Sequence, residues 1–253
     1  MLPTIQFGPL TAQTPGLIIL LGIWIGLTIA ERQSERFGIK ANDLDQIVFT
    51  SLLIGVITAR MAYVAAHLPA FSSNWLDIFS INPQLLNSWG GIVGFFLSAL
   101  IVAQRKKLSL PQLADALSPA AAFFLIILPL SNLASGNAYG EPSNLPWSID
   151  LWGAQRHPSQ LYEALAALII FITMFVVAPK RWNPKAGLTT SIFLASTFTA
   201  RLFLEAFRAE STVLLGNIRA IEVFAWVGLS LSLFMIYRIR FKTYPKGETH
   251  AGE

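Results

Sequence analysis

The chain has 253 residues, of which 54% are hydrophobic and only 13% are charged. Soluble domains carry about a quarter charged residues, so this composition excludes an ordinary soluble protein and indicates an integral membrane protein. The net charge of +4 does not indicate nucleic-acid binding, because the basic residues lie in short clusters between apolar runs. Cysteine is absent, which excludes disulfides, cysteine–zinc sites and an enzyme thiol, so any thiol chemistry needs a thiol from the substrate.

Seven apolar segments follow one another, each roughly long enough to cross about 30 Å of hydrocarbon. They cover Pro15–Ala30, Ile47–His67, Trp89–Gln104, Leu113–Leu133, Gln160–Ala178, Gly187–Phe207 and Ile221–Ile239. The first has no basic residue before it and no A-x-A cleavage site after it, which favours a span over a signal peptide. The sequence therefore predicts an all-α, polytopic membrane helix bundle with seven transmembrane helices, in which residues 1–253 form a single transmembrane domain.

Lysine and arginine are distributed unevenly between the two sides of these spans. Thirteen of the 18 basic residues follow spans one, three, five and seven: Arg32, Arg36, Lys40, Arg105, Lys106, Lys107, Lys180, Arg181, Lys185, Arg238, Arg240, Lys242 and Lys246. The opposite loops carry only Arg156, Arg208 and Arg219. Because cytoplasmic loops are enriched in lysine and arginine, the N-terminus is predicted outside and the C-terminus in the cytoplasm.

The stretch RHPSQLYEA, from Arg156 to Ala164, crowds six polar residues into eight positions before an apolar run. Pro158 suits the first turn of a helix, where a missing N–H costs nothing. Tyr162 and Glu163 then begin to enter hydrocarbon, where an ionisable side chain is costly and usually functional. The stretch predicts a helix whose polar N-terminal end lies at the membrane surface.

A second polar stripe consists of Arg201, Glu205 and Arg208, spaced i, i+4 and i+7 near the outer end of span six. Guanidinium forks bind phosphate oxygens in pairs, and a carboxylate keeps the forks oriented. Arginines beside carboxylate and amide groups at this depth are therefore typical of a phosphate site. The alternative interpretation is a structural i, i+4 ion pair inside the bundle.

Three further features lie near the outer side. Arg60 and Tyr63 share one face of span two, and Arg60 could pair with a phosphate, with a carbonyl or with Glu163. Asn132 follows Pro129, which should break or kink span four. Glycines at the start of span three, Gly90 and Gly91 among them, allow close approach of another backbone or of a lipid headgroup.

Two loops on the outer side have unusual compositions. Phe71, Trp75 and Phe79 suit a short segment lying in the membrane interface. The loop from Ser135 to Gln155 is rich in glycine, proline and tryptophan, which favours turns and a structured lid over a flexible linker.

Five of these stretches resemble motifs of the prolipoprotein diacylglyceryl transferase family. TARMAYV (Thr58–Val64) resembles the family's GARLGYV, and SWGGIVG (Ser88–Gly94) resembles its HGG segment. ADALSPA (Ala114–Ala120) resembles ADxxAPA, and RLFLEAFR (Arg201–Arg208) resembles RFxxExxR. RHPSQLYEA is nearly identical to the corresponding family motif. Seven spans with an external N-terminus also agree with that family.

The resemblance implies a bacterial plasma (inner) membrane enzyme with no cofactor and no metal, whose partners are phosphatidylglycerol, or a similar anionic lipid, and a lipoprotein precursor peptide. It would transfer diacylglyceryl to the precursor's cysteine, with glycerol 1-phosphate leaving. Arg201 would hold the phosphate, assisted by Arg208 or Arg60, while Glu205 orients the guanidinium. The base would be His157, Glu163 or a water.

The resemblance also implies a set of substrate-binding positions. Asn132 and Tyr162 would donate hydrogen bonds to phosphate or glycerol oxygens. The remaining members of the set are Tyr63, Gly90, Gly91, Tyr139, Gly140 and Arg156.

Two positions depart from the family pattern in chemically important ways. Trp89 stands where the family carries a histidine. The signature GRxGNFxNGExYG reads LPLSNLASGNAYG here, so Pro129 replaces its arginine and Asn137 its glutamate. Losing one preorganised charge-stabilising group typically costs about 10²–10³ in rate. A catalytically degenerate relative that binds lipid as an accessory membrane protein therefore remains the alternative. A transporter is disfavoured because the polar cluster lies at one surface.

Overall fold

The computed structural model describes residues 4–7, 10–72, 74–80, 85–177, 185–209, 213–215 and 218–241. Within these ranges the chain forms seven α-helices: α1 (Thr14–Ser34), α2 (Ala41–Ala66), α3 (Ser88–Arg105), α4 (Leu110–Ser135), α5 (Ser159–Ile172), α6 (Leu188–Leu204) and α7 (Ala220–Phe241). Three antiparallel hairpins pair β1 (Thr4–Phe7) with β2 (Leu10–Gln13), β3 (Ile149–Leu151) with β4 (Ala154–Arg156), and β5 (Val213–Leu215) with β6 (Ile218–Arg219).

Each predicted apolar segment overlaps one of these helices. Five helical stretches in the described ranges are long and apolar enough to cross a membrane, namely Thr14–Phe37, Ala41–Ala66, Ser88–Arg105, Leu110–Ser135 and Ala220–Phe241. The fifth segment is a shorter apolar helix, Ser159–Phe175, and α6 has 17 residues. The prediction of a polytopic helical membrane protein is confirmed. Four basic residues of the orientation argument, Lys180, Arg181, Lys242 and Lys246, lie outside the described residues.

The prediction that Pro129 breaks or kinks span four takes a milder form in the structure. Both Pro119 and Pro129 lie inside α4, and the helix continues through them to Ser135. Membrane helices tolerate proline in this way when neighbouring groups satisfy the freed carbonyls.

Contacts divide the chain into two compact units, a smaller one of Glu31–Ala116 and a larger one of Met1–Ala30 with Leu117–Glu253. In the smaller unit α2 and α3 pack closely through glycines. A Cβ at Gly94 would overlap the side chain of Thr58, and one at Gly91 would lie 3.1 Å from Ala59 Cβ. Near the opposite ends of the two helices, Lys106 pairs with Asp43 at 2.5 Å.

The segment after α2 carries the aromatic residues predicted to lie in the membrane interface. It forms two short 3₁₀-helices, Leu68–Phe71 and Trp75–Phe79, with the side chains of Trp75 and Phe79 exposed. Large exposed aromatic side chains of this kind are typical of a membrane–water interface.

The larger unit has its apolar core between α4, α5 and α6. Ala122, Ile170 and Phe193 are buried together there, with Met174 from the π-helical turn after α5. The Ser131 hydroxyl donates to the carbonyl of Pro15 at 3.1 Å, which joins α4 to the start of α1.

The loop between α4 and α5 is built of defined turns, as the lid prediction requires. Gly136 has a left-handed φ of 77°, and the N–H of Asn137 bonds the carbonyl of Asn132 at 3.0 Å, which is the geometry of a Schellman helix end. Trp152 and Gly153 both have positive φ, as a two-residue hairpin turn between β3 and β4 requires. The Trp152 indole N–H donates to the carbonyl of Gly136 at 2.9 Å, so the hairpin tip is tied to the end of α4.

Candidate active site

The centre of the candidate site is a carboxylate shared by two arginines. Glu163, in the first turns of α5, accepts from Arg201 Nη1 at 3.0 Å and from Arg208 Nη1 at 2.7 Å through the same oxygen, Oε1. Arg201 also pairs through Nη2 with Glu205 Oε2 at 3.1 Å, as the i, i+4 spacing predicts. Glu163 thus joins the two polar stretches that the sequence singled out separately.

The arginine at i+7 reaches this cluster by a different route from the predicted one. The α-helix ends at Leu204, Glu205–Phe207 forms a 3₁₀ turn, and Arg208 is extended. Arg208 is therefore not on a continuous helical stripe, yet its guanidinium still contacts Glu163. Its Nε is buried with no hydrogen-bond partner among the described residues.

Glu205 is the most deeply buried member of the cluster, with 1% of its surface exposed. Arg219, at the end of β6, donates to the carbonyl of Glu205 and, at 3.2 Å, to that of Arg208. Its Nη2 lies 3.7 Å from Glu141 Oε1. Arg219 thereby fixes the backbone on which two cluster residues are carried.

The charges of Glu163, Arg201, Glu205 and Arg208 sum to zero. Attraction for an anion must therefore come from the fixed directions of the guanidinium N–H groups, which outnumber the carboxylate acceptors facing them. Only two of the five N–H donors of Arg201 are used in the described contacts. The cluster can offer paired donors to a phosphate without moving a helix.

An aromatic group lies directly beside the cluster. The ring of Phe207 packs edge-on against His157 and Tyr162, with centroids 5.4 and 5.5 Å apart. The Tyr162 hydroxyl lies 3.4 Å from His157 Nδ1 and accepts the indole N–H of Trp147 at 2.7 Å. Phe207 and Tyr162 immediately precede Arg208 and Glu163, so the same two segments of the chain carry the aromatic group and the ion pairs.

Arg156 is held by the loop and is not part of the carboxylate cluster. Its Nε donates to the carbonyl of Leu151 at 3.1 Å and its Nη1 to that of Gly140 at 3.3 Å, and its guanidinium stacks 4.7 Å from the Tyr139 ring centroid. Gly140 has to be glycine here, since a Cβ would lie 2.8 Å from His157 Cβ and 2.9 Å from the carbonyl oxygen of Phe207. The structure thus brings Tyr139, Gly140, Arg156 and His157 together.

Asn132 lies at the end of α4, where its carbonyl accepts both the Asn137 N–H and the Ser135 hydroxyl at 3.0 Å. Among the described residues, no hydrogen bond joins its side chain to the ion-pair cluster. Its predicted role as a donor to substrate oxygens stays a prediction.

Four predicted residues belong to the smaller unit. Arg60, 8% exposed, donates to the carbonyls of Ile78 at 2.8 Å, Leu85 at 3.0 Å and Asp77, so the alternative of a carbonyl partner is the one found. Tyr63 lies 5.8 Å from that guanidinium. Gly90 and Gly91 face α2, where a Cβ at Gly90 would overlap Ala62.

Several residues of the site could not be identified from the sequence. Trp147, Phe207 and Arg219 were not singled out, because no local spacing connects them to their partners. Ser159 and Gln160 belong to the RHPSQLYEA stretch and are fully buried, donating at 2.9 and 2.8 Å to the carbonyls of Ala138 and Asn137.

Next to the ion pairs along α5 and α6, residues of α5, α6 and α7 line an apolar groove of about 530 Å³ that is open to the protein surface. Its lining includes Ala166 and Ile170 of α5, Thr199 and Ala200 of α6, and Leu229 and Leu233 of α7. Ala166 is one turn after Glu163, and Ala200 directly precedes Arg201. No group of three acidic or histidine side chains suited to a metal occurs in the described residues.

Comparison with known proteins shows which family the chain belongs to. Residues 3–238 match the profile of the family described as prolipoprotein diacylglyceryl transferase. A phosphatidylglycerol–prolipoprotein diacylglyceryl transferase of Finegoldia magna is 29% identical over 230 residues, covering 90% of each chain. The enzymes of that name from Clostridioides difficile (29%, 85% of each chain) and Staphylococcus aureus (28%, 95% of this chain and 89% of the relative) are similarly close. Since the profile spans nearly the whole chain, this protein belongs to the prolipoprotein diacylglyceryl transferase family.

Proposed function

We propose that this protein transfers the diacylglyceryl group of phosphatidylglycerol to the cysteine thiol of a lipoprotein precursor. The observation that carries the proposal is the pair of arginines converging on Glu163 beside an open apolar groove. Guanidinium groups suit the phosphate of an anionic lipid, and the apolar groove suits its acyl chains. The site therefore provides hydrogen-bond donors for the phosphate and an apolar surface for the acyl chains of a glycerophospholipid.

In the reaction, the thiol loses its proton and the sulfur attacks the glycerol carbon bonded to the phosphate oxygen. The carbon–oxygen bond breaks and its electron pair leaves with glycerol 1-phosphate, whose negative charge is one unit larger than that of the phosphodiester. Arg201, assisted by Arg208, binds the phosphate and stabilises this charge, while Glu205 and Glu163 orient the guanidiniums. The chain's own residues supply these groups, and the proposal includes no cofactor or metal.

The residues around the ion pairs bind and position the lipid. Asn132 donates to phosphate or glycerol oxygens, Tyr162 lies beside the bound lipid, and Arg156, Tyr139 and Gly140 shape the loop beside the headgroup. For Arg60, Tyr63, Gly90 and Gly91 the proposed substrate role rests on the family motifs, since their described contacts are to the loop after α2 and to α2 itself.

We place the protein in the bacterial plasma membrane as a single transmembrane domain of seven spans. The N-terminus lies outside and the C-terminus in the cytoplasm, as the distribution of lysine and arginine indicates. In this orientation the ion-pair cluster lies at the outer leaflet, where a precursor cysteine emerging from translocation can reach it.

A second candidate function is supported by the positions that depart from the family. Trp89, where the family carries histidine, is 77% exposed, and Pro129, where it carries arginine, lies in the interior of α4. A relative that retained the lipid site but lost turnover would act as a lipid-binding accessory membrane protein.

One assay separates the two functions. Purified protein is incubated with phosphatidylglycerol and a lipobox peptide, and mass spectrometry follows the peptide. Transferase activity adds one diacylglyceryl mass to the cysteine. If the mass stays unchanged under several lipid conditions while phosphatidylglycerol still binds, the protein is the accessory one. Complementation of a strain depleted of its own transferase asks the same question in cells.

A further inference from the structure

Three side chains beside the ion pairs form a continuous hydrogen-bonded chain. The indole Nε1–H of Trp147 donates to the Tyr162 hydroxyl oxygen at 2.7 Å, and that hydroxyl lies 3.4 Å from His157 Nδ1. The second distance is long, as is common for catalytic hydrogen bonds before substrate is bound. The loop holds Trp147 in place, because Ser143 N–H bonds the carbonyl of Gln155 at 2.9 Å and Ser148 N–H that of Leu145 at 2.9 Å.

The direction of this chain follows from which groups can donate. An indole nitrogen is a donor only, so the Tyr162 oxygen must be the acceptor in its contact with Trp147. The phenolic hydrogen is then free to point to His157 Nδ1, which accepts it when the imidazole is neutral with its proton on Nε2. The Tyr162 oxygen keeps room to accept one further donor.

Resting on the proposed transfer reaction, we propose that Trp147 is a positioning residue for a Tyr162–His157 proton relay. The incoming thiol gives its proton to the Tyr162 oxygen as the phenolic proton passes to His157 Nδ1. The thiolate then forms the carbon–sulfur bond and glycerol 1-phosphate leaves with the electron pair of the broken carbon–oxygen bond. Trp147 fixes the phenol and stabilises the negative charge that develops on its oxygen.

The contacts of Glu163 explain why the relay, and not this carboxylate, takes the proton. Its Oε1 already accepts from Arg201 and Arg208, so taking a proton would weaken both ion pairs at the moment when they are needed for the phosphate. The relay uses groups that hold no ion pair in the described structure.

The test compares two tryptophans of the same loop. Trp147→Phe removes the indole donor but keeps an aromatic ring, and Trp152→Phe does the same at a position of similar exposure (57% and 65%) whose indole donates to Gly136 instead. Trp147→Phe should lower kcat about tenfold, the size of one hydrogen bond to a developing charge, with KM for the lipid unchanged. Trp152→Phe should change neither, and in a Tyr162→Phe background Trp147→Phe should have no further effect. Equal effects of the two tryptophan substitutions, or an effect that adds to that of Tyr162→Phe, would overturn the relay.

A second measurement reads the relay without turnover. The sequence has three histidines, so ¹⁵N-histidine NMR of the full chain in detergent, with His157→Gln for assignment, can follow His157 alone. An unprotonated, hydrogen-bonded Nδ1 that loses its hydrogen bond in Trp147→Phe and in Tyr162→Phe supports the relay. A proton found on Nδ1 contradicts it. If the wild-type protein shows these hydrogen bonds but never lipidates the peptide, the proposed transferase function is refuted. The catalytic role proposed for Trp147, Tyr162 and His157 is then refuted with it.

Discussion

Arg201 in α6 and Arg60 in α2 are both arginines of apolar helices, but their guanidinium groups have partners of different kinds. Arg201 is bound by the carboxylates of Glu163 and Glu205, and Arg60 by the main-chain carbonyls of the loop after α2. From sequence alone both were candidates for the same phosphate. The partners that the structure shows separate them.

The difference matters because the two kinds of partner respond differently to an anion. Carboxylates keep the guanidinium of Arg201 oriented and leave some N–H donors unused, so a phosphate can be added to the pair. The carbonyls around Arg60 use donors on all three of its nitrogens, and loss of the guanidinium would remove this donor from the carbonyls of Asp77, Ile78 and Leu85. We therefore expect Arg201 to act on the reaction and Arg60 mainly on the loop.

The largest effect should come from Arg201. Replacing it with Ala removes the proposed phosphate ligand and should lower the transfer rate about 10²–10³-fold. Lysine should restore little of that rate, because one ammonium cannot reproduce the two N–H contacts to Glu163 and Glu205. Rates from the peptide assay, with phosphatidylglycerol binding measured in parallel, provide the check. Wild-type rates in Arg201→Ala would show that the cluster is structural.

Glu163→Gln tests whether the shared carboxylate positions both arginines. The amide cannot hold two guanidiniums as a carboxylate does, so the transfer rate should fall about 10- to 100-fold. The matched control is Asp43→Asn, which breaks the pair with Lys106 in the smaller unit and should leave the rate unchanged. A control as damaging as the test variant would point to a general loss of structure.

Arg60→Ala should show the other half of the contrast. We expect a loss of about 2–4 kcal/mol in the free energy of unfolding, because loop carbonyls lose their donor. Limited proteolysis should then cut near Trp75–Phe79 sooner, with KM for the lipid nearly unchanged. An increased KM at normal stability would instead support the substrate role that the family motif implies.

The smallest effect concerns the packing that supports Arg60. Gly94→Ala places a methyl group against Thr58 between α2 and α3 and should cost about 1–3 kcal/mol of stability. Gly16→Ala, in α1, has no atom within 4 Å of the new methyl group and should be neutral or slightly stabilising. Thermal unfolding of both variants in detergent is the measurement, and equal melting temperatures would show that the helices can separate freely at Gly94.

Local pattern was sufficient for the helices and for one ion pair. The apolar segments overlap the observed helices because a backbone buried in lipid must form a helix to satisfy its hydrogen bonds. The Arg201–Glu205 pair follows from i, i+4 spacing alone. The same rule placed Arg208 on a helical stripe that the structure ends at Leu204, because propensity does not fix where a helix stops.

The sequence by itself determined that this is a membrane helix bundle with arginine, glutamate and histidine at helix ends, since composition and period are local properties. Only the tertiary structure decided which of these side chains meet. Glu163 is 38 and 45 residues from its two arginines, and Trp147 is 15 from Tyr162 across a folded loop. Such contacts depend on how helices and turns pack in three dimensions, and packing is set jointly by many side chains that no single motif encodes.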